Sequence, residues 1–159
     1  MKSMKRIYLW FLTATLLTVT AGSMTSCMKT PKTAEEFLDR GIKYGQKGNY
    51  DRAIADYNEA IRLDPNFAKL YNNRGVAYAY KRDYDRAITD FNEAIRLDPD
   101  FVDVYNNRGG MYYDMKDYDR AIADYTEVIR LDPNNTDAYD NMNKVLVKKV
   151  AEKMLGELE

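Results

Sequence analysis

The residues of this sequence that could do chemistry are carboxylates, arginines and one cysteine. The chain contains no histidine, and its only cysteine is Cys27. Histidine is the most frequent general base and metal ligand of proteins, so the chemistry that depends on it is not expected here. Carboxylates are plentiful, but Asp56, Asp90 and Asp124 recur at intervals of 34 residues, whereas a catalytic pair would occur once. We therefore predict that the chain is not an enzyme and holds neither a metal nor a cofactor.

Three arginines share the period of these carboxylates. Arg40, Arg74 and Arg108 each precede one of the three aspartates by the same number of residues. The arginines could form a ladder that binds a ligand, or each could pair with the aspartate of a neighbouring helix. The pairing explains the common period and needs no ligand, so we favour it.

These side chains belong to a unit that the chain repeats three times. Residues 50–65 read YDRAIADYNEAIRLDP, residues 84–99 read YDRAITDFNEAIRLDP and residues 118–133 read YDRAIADYTEVIRLDP. Self-similarity at a period of 34 residues predicts stacked pairs of helices, and the apolar residues recur at helical spacing. We expect helices near residues 34–47, 50–63, 68–81, 84–97, 102–115 and 118–131.

Local signals support these helices in every unit. A capping residue precedes each second helix, and an Asp-Pro pair stops it. A glycine inside each first helix costs about 1 kcal/mol relative to alanine, so we expect close approach of the partner helix there, opposite a small alanine. The signals are the caps Asn49, Asp83 and Asp117, the glycines Gly41, Gly75 and Gly109, and the alanines Ala53, Ala87 and Ala121.

With the units in register, aromatic residues, a glycine, small residues and a proline recur at fixed offsets. In the second unit they are Tyr71, Gly75, Tyr78, Ala87, Phe91, Ala94 and Pro99. This series resembles the tetratricopeptide repeat family, and the resemblance implies an all-α solenoid that binds partners. The implied parts are three helix-turn-helix repeats at residues 34–67, 68–101 and 102–135 and a C-terminal capping helix at 136–159.

In this family the first helices line a concave groove, and the resemblance implies which residues lie there. Amide and aromatic side chains suit the backbone of an extended peptide, as in a membrane-anchored adaptor, and they equally suit a sugar, as in a carbohydrate- or peptidoglycan-binding module. A third hypothesis is a structural protein that binds only itself. A further alternative is that the repeated YNNRG sequence carries no information about a ligand. Tyr80 and Tyr113 depart from the core register, so we expect them to meet solvent or ligand. The implied groove residues are Leu38, Ile42, Asn72, Asn73, Val76, Tyr80, Asn106, Asn107, Tyr113 and Asp114.

One mode of binding in this family is not expected here. Members that bind chaperones grip a C-terminal carboxylate with a clamp of lysine, arginine and asparagine side chains. Of the matching positions only Asn73 agrees with that clamp, and Asp103 would repel the carboxylate. The matching positions are Leu38, Ile42, Asn73, Asp103 and Asn107.

The first residues form a targeting segment, predicted at 1–26. Three basic residues open it, and the apolar stretch at 7–19 is too short for a comfortable membrane span. The sequence MTSC at residues 24–27 resembles the lipobox of bacterial lipoproteins, in which the cysteine is lipidated and becomes the new N-terminus. The alternatives are an ordinary secretory signal or an uncleaved anchor. Because an unpaired cysteine is unusual in a secreted protein, we expect Cys27 to be lipidated and residues 27–33 to form a tether.

Cleavage before Cys27 would remove three positive charges and change the formal net charge from −1 to −4. A mildly acidic domain without a basic stripe is not expected to bind nucleic acid, so the lipid would provide the membrane attachment. Retention at the inner membrane of enteric bacteria favours an aspartate at the position of Met28. By that resemblance we expect the outer membrane, with the domain facing the periplasm.

The last segment starts like a fourth first helix but has no second helix after it. One helical face, which we expect to cap the third repeat because a solenoid needs a cap, carries Tyr139, Met142, Leu146, Val150, Met154 and Leu158. The helix is longer than a cap requires. Its overhang is therefore expected to bury itself against a second molecule, as in a homodimer, or to fray. The overhanging apolar residues are Val150, Met154, Leu155 and Leu158.

Overall fold

Seven helices joined by short turns make up most of the chain that the structure describes. The computed structural model of the protein describes residues 31–156. The predicted targeting segment, Cys27 and Leu158 lie outside these residues. The helices are α1 (Ala34–Gln46), α2 (Tyr50–Leu63), α3 (Ala68–Tyr80), α4 (Tyr84–Leu97), α5 (Val102–Asp114), α6 (Tyr118–Leu131) and α7 (Thr136–Gly156).

The helices pack as three pairs that stack in chain order. The pairs are α1 with α2, α3 with α4 and α5 with α6, and each second helix also packs on the first helix of the next pair. The first helices contact one another, so that α1, α3, α5 and α7 form one layer. The predicted all-α solenoid with a C-terminal capping helix is confirmed.

The three second helices begin and end at the predicted residues, whereas the first helices end one residue earlier than predicted. A left-handed residue in each following turn causes this difference. Gly48, Arg82 and Lys116 have φ angles of 72°, 61° and 62°. The N–H of Asn49 then donates to the carbonyl of Tyr44 at 2.9 Å, and the same bond closes the two later turns. This is the Schellman arrangement that ends many helices.

The capping residues of the second helices act as predicted. The side-chain oxygens of Asn49, Asp83 and Asp117 accept hydrogen bonds from the N–H groups three residues later. Each bond satisfies a backbone donor that would otherwise lack a partner in the first turn.

The close approach predicted at the glycines is confirmed, but the nearest neighbour is a ring. A Cβ atom on Gly41 would lie 2.5 Å from Cε1 of Tyr57, and one on Gly75 would lie 2.9 Å from Cε1 of Phe91. The predicted neighbour Ala53 is fully buried beside this contact. Each glycine therefore leaves the space in which the ring of a large aromatic side chain packs.

Helix α7 turns a different face to the solenoid from the one that the sequence predicts. Ala138 packs in a cluster with residues of α5 and α6, and Val145 is buried in the core of the second and third repeats. Of the predicted capping face, Met142 packs against this core, whereas the other described residues point outward, because the small Ala138 and the branched Val145 fit the space beside α5 and α6. Their exposed fractions are 40% for Tyr139, 40% for Leu146, 56% for Val150 and 62% for Met154.

The first part of the predicted overhang is attached to the third repeat. The hydroxyl of Tyr118 donates to Oε1 of Glu152 at 2.8 Å, and Lys149 pairs with Asp119. Helix α7 has 21 residues, whereas the first helices of the repeats have 13. Its length beyond a cap is therefore confirmed, but polar contacts hold it along α6 as far as Glu152.

Candidate peptide-binding groove

Two cavities open along the layer of first helices, one at each junction between repeats. Junction cavity 1 lies between the first and second repeats and has a volume of about 360 Å³. Helices α1, α2 and α3 line it. Its lining residues are Ile42, Gly45, Gln46, Tyr50, Tyr57, Asn73, Val76, Ala77 and Tyr80.

Junction cavity 2 is the same site one repeat later. It lies between the second and third repeats and has a volume of about 220 Å³. Every lining residue of cavity 2 follows a lining residue of cavity 1 by the repeat length. The lining residues of cavity 2 are Val76, Ala79, Tyr80, Tyr84, Phe91, Asn107, Gly110, Met111 and Asp114.

Six of the ten groove residues implied by the resemblance line these cavities. Val76 and Tyr80 line both and so form the wall between them. Tyr80 is 67% exposed, as expected from its departure from the core register. The four others are Ile42, Asn73, Asn107 and Asp114.

The column of residues that contains Leu38, Asn72 and Asn106 lies elsewhere. Leu38 and Asn72 are buried, and Nδ2 of Asn107 donates to Oδ1 of Asn72 at 3.0 Å across two first helices. The placement of Leu38 and Asn72 in the groove therefore needs correction, because this column packs between first helices. Asn106 is half-buried and lines neither cavity.

Tyr113 lines neither cavity, because its ring lies at the third junction, between the third repeat and α7. It occupies the position of Gly45 and Ala79 in the earlier junctions. Its ring packs at 6.0 Å from the ring of Tyr118, and Nζ of Lys144 lies 4.9 Å from its centroid. These two neighbours correspond to cavity-lining positions of the earlier junctions, so Tyr113 fills the space that remains open there.

Sequence reasoning missed the first residue of each second helix. Tyr50 lines cavity 1 and stacks on Tyr80, with ring centroids 5.0 Å apart and planes 4° apart, and Tyr84 lines cavity 2. Because Tyr50 and Tyr84 recur at the repeat period, the sequence favours core packing for them. Their place directly after the capping residue, at the edge of the helix pair, is the signal that could have identified them.

The predicted pairing of the arginine and aspartate series is confirmed. Nε and Nη2 of Arg74 donate to the two carboxylate oxygens of Asp90 at 2.8 and 2.7 Å, and the other two repeats have the same bidentate pair. Burial lowers the pKa of Arg74, but the hydrogen bonds with Asp90, its negative charge and the nearby tyrosines together raise it above its usual value. Nη1 of Arg74 also donates to Asn58 of the preceding repeat at 2.7 Å. Arg108 donates to Asn92 in the same way, so Arg74 and Arg108 join repeats, and none of the three arginines lines either cavity.

Tyr57 places a hydroxyl beside cavity 1. The residue is 3% exposed, and a Cβ on Gly45, which lines the cavity, would lie 3.9 Å from the hydroxyl oxygen. Burial, and secondly the Asp56 carboxylate, raise the pKa of Tyr57 to about 12. The hydroxyl therefore stays protonated at neutral pH and can donate a hydrogen bond.

Two other kinds of feature, a metal site and a membrane-spanning helix, are absent from residues 31–156. In this range His, Cys, Asp and Glu side chains form no cluster that could hold a metal ion. The helices of the same range also lack the length and apolar character that crossing a bilayer requires.

Stacked helix pairs with the same opening at successive junctions define a helical-repeat scaffold, a class whose extended surfaces bind other molecules. The family described as "TPR repeat" matches residues 41–81, and the family described as "Tetratricopeptide repeat" matches residues 68–101 and 102–135. The chain belongs to the tetratricopeptide repeat family. This fold generally serves as a scaffold for protein interactions and not as a catalyst.

Solved structures of similar domains agree with this assignment. The first tetratricopeptide domain of Spaghetti (RPAP3), bound to the HSP90 peptide SRMEEVD, is 30% identical with a TM-score of 0.70, and the match covers 74% of this chain and 94% of that one. The second such domain of human RPAP3, in complex with the HSP70 peptide SGPTIEEVD, is 31% identical with a TM-score of 0.65 and covers 70% and 93%. The Arabidopsis OM64 domain is 26% identical with a TM-score of 0.66 and covers 70% and 93%. No curated protein sequence matches the chain significantly.

Proposed function

We propose that the protein is a lipid-anchored adaptor that binds an extended segment of a partner protein at a bacterial envelope membrane. The observation that carries the proposal is the pair of junction cavities, which repeat along one line of first helices. An extended chain presents side chains at regular intervals, so it can place one in each cavity. The adaptor has no catalytic role.

The similar domains of known structure support a peptide as the ligand, because two of them hold peptides from chaperones. The present groove differs from a carboxylate clamp in its side chains. Leu38 is buried in the core of the first repeat, and Asp103 is exposed. We therefore propose a ligand that binds through its side chains and backbone and not through a terminal carboxylate.

A binding experiment with the chain from Met28 onward tests this proposal. Immobilised protein is offered a displayed library of random seven-residue peptides, and the selected peptides are measured again on Tyr80→Ala. Tyr80 walls both cavities and is exposed, so its loss should weaken every selected peptide at least about fivefold, as expected for removal of a stacking ring worth about 1 kcal/mol.

Leu63→Ala is the matched control, because Leu63 is an exposed apolar residue at the end of α2 that lines neither cavity. Affinity should be unchanged in this variant. Selection of no peptide, together with binding of a purified glycan, would overturn the proposal in favour of a carbohydrate-binding module.

The membrane attachment is proposed from the sequence at residues 24–27, with Cys27 as the lipidated residue. Residues 27–32 would then hold the domain within about 20 Å of the membrane, at about 3.5 Å per extended residue. Several acyl chains make attachment firm, whereas a single chain gives marginal binding. We place the anchor in the outer membrane, with the groove facing the periplasm.

Metabolic labelling of the full chain with a radioactive fatty acid tests this attachment. The label should be present on the natural protein and absent from Cys27→Ser, which should be soluble or unprocessed. Serine is close to cysteine in size but lacks the thiol that is acylated, so loss of the label would be due to the missing sulfur. Label that persists on Cys27→Ser would contradict the anchor.

We also propose that the outward face of α7 binds a second copy of the chain. Four apolar side chains at helical spacing are exposed there, beyond the last helix pair of the stack. No described helix follows α7 to cover them. A second copy offers the same stripe, and burying a side chain of this size contributes about 1.5–3 kcal/mol. The stripe consists of Tyr139, Leu146, Val150 and Met154, with Val147 and Leu155 beside it.

A further inference from the structure

The two junction cavities share their register but differ in the chemistry of their floors. Cavity 1 has Tyr57 where cavity 2 has Phe91, and cavity 2 gains the larger Met111 in place of Ala77. Cavity 2 is also smaller, at about 220 Å³ against about 360 Å³. The same helical frame therefore holds two sites of different polarity and size.

Tyr57 is a buried residue whose hydroxyl lies beside cavity 1. Its ring is held against Gly41, where a Cβ would come within 2.5 Å, so the hydroxyl cannot swing away from Gly45 and the cavity. The described residues contain no buried side-chain oxygen or nitrogen that lacks a hydrogen-bond partner. Because no described protein group bonds to the Tyr57 hydroxyl, its oxygen is accessible from cavity 1, which Tyr57 lines, and an acceptor on a ligand can take the place of water there.

The equivalent tip of Phe91 carries no polar atom. Its ring packs at the same depth, with Cε1 2.9 Å from a Cβ on Gly75. Its neighbours in the cavity include Met111 and Val76, so a polar ligand group at the floor would lose its hydrogen bonds to water without replacement.

We infer that the groove reads two side chains of its peptide ligand, an acceptor-tipped side chain such as glutamine in cavity 1 and an apolar side chain such as leucine in cavity 2. This inference rests on the proposed function, since it specifies the ligand of the same groove. Neighbouring helices pack about 8–10 Å apart, and an extended chain in the polyproline II conformation advances about 3.1 Å per residue and returns to the same face every third residue. The two recognised residues are therefore about three positions apart.

The reciprocal variants Tyr57→Phe and Phe91→Tyr test the inference, because each introduces the residue that the other repeat already uses. The probe is the displayed library of random seven-residue peptides. The natural protein should select an acceptor-tipped residue at one position and an apolar residue at the other. Tyr57→Phe should reduce the preference for the acceptor by about two- to tenfold, the effect of one hydrogen bond of about 0.5–1.5 kcal/mol. Phe91→Tyr should allow an acceptor at the second position.

Thermal unfolding of both variants checks that the fold is retained, and Leu63→Ala again serves as the unchanged control. Selected peptides that need Tyr80 but show the same preferences on Tyr57→Phe would overturn this inference and leave the proposed function standing. Failure of the natural protein to select any peptide would overturn both.

Discussion

At the scale of single residues, the turns within two of the repeats each contain a non-glycine residue in a backbone conformation that L-residues disfavour. Arg82 and Lys116 adopt φ angles of 61° and 62°, where the first repeat has Gly48. The left-handed region costs a residue with a Cβ roughly 1–2 kcal/mol, and glycine avoids that cost. The Schellman bonds of the turn hold the two residues there nevertheless.

Arg82→Gly should therefore stabilise the protein. We expect a gain of about 0.5–1 kcal/mol in the free energy of unfolding, since relief of the left-handed strain exceeds the extra entropy that glycine gives the unfolded chain. Urea denaturation measures it. Gly48→Ala is the matched reverse change and should destabilise by a similar amount, and a loss of stability in Arg82→Gly would contradict this explanation.

Individual residues also show why the sequence did not predict every residue that lines the groove. The family register places the column of Leu38 and Asn72 beside the column of Asn73, and neighbouring positions on a helix point about 100° apart. Whether a column faces the groove or the next helix depends on the rotation of each helix in the stack. That rotation is set by packing between repeats, which a repeat pattern does not contain. The sequence also did not show that Tyr113 lies at the third junction, because that placement depends on its contacts with Tyr118 and Lys144.

At the scale of helices, the caps of the second helices give stability a defined pH dependence. The side-chain bond from Arg86 lowers the pKa of Asp83, and Arg120 does the same for Asp117. A carboxylate whose pKa is lowered by folding stabilises the protein above its usual pKa. This contribution disappears as the pH falls below that value and through the lowered one.

The double variant Asp83→Asn, Asp117→Asn tests this dependence. Asparagine caps a helix as well as aspartate does, and Asn49 already caps α2, but it does not titrate. The variant should be less stable than the natural protein near neutral pH and equally stable at pH values below the titration of the aspartates. Unfolding in urea at a series of pH values measures the difference, and a constant difference across the series would contradict the prediction.

Helix α7 carries the prediction about self-association. Met154→Asp with Leu155→Asp places two charges on the exposed apolar stripe, and we expect the protein to become monomeric with nearly unchanged helical content. Sedimentation of the chain from Met28 onward at high micromolar concentration measures this. Lys148→Asp changes the net charge by the same amount at a polar exposed position and should leave the assembly intact. A natural protein that is already monomeric there would contradict the homodimer.

The helix ends were predictable because caps, glycines and prolines are local signals, whereas the orientation of α7 was not. Apolar residues occur on two sides of α7, and the sequence favoured the longer row, from Tyr139 to Met154. The solenoid instead buries Ala138 and Val145, and of the longer row it is Met142 that packs beside them. The space beside α5 and α6 accepts only side chains of suitable size and shape. The side chains that define this space belong to other helices, so the pattern within α7 does not reveal it.

At the scale of the whole molecule, repeats are joined by contacts that recur with the period. Arg108 pairs with Asp124 of its own repeat and donates to Asn92 of the preceding one at 2.5 Å, as Arg74 does one repeat earlier. The free energy of unfolding of such an array is approximately the sum of the stabilities of its units and of the interfaces between neighbouring units. The period itself made this architecture predictable from sequence.

The whole groove also predicts which peptide the protein rejects. SRMEEVD, which binds a similar domain, should bind the present protein at least tenfold more weakly than peptides selected by the groove. Its acidic residues would meet the exposed Asp103 and Asp114, and no cationic clamp compensates for the repulsion. Fluorescence anisotropy with labelled peptide measures the affinity. Asp103→Lys should strengthen binding of SRMEEVD, and tight binding to the natural protein would contradict this account.

Because Tyr113 fills the third junction, the series of open cavities ends at the second junction. If every junction were open, a ligand with a repetitive sequence could slip by one repeat and bind in several frames of similar affinity. With Tyr113 in the last junction, only one frame places a ligand side chain in each of the two open cavities. Copying a further repeat onto the C-terminal end would lengthen the protein without lengthening the stretch of ligand that it recognises. The number of positions recognised is thus separate from the number of repeats.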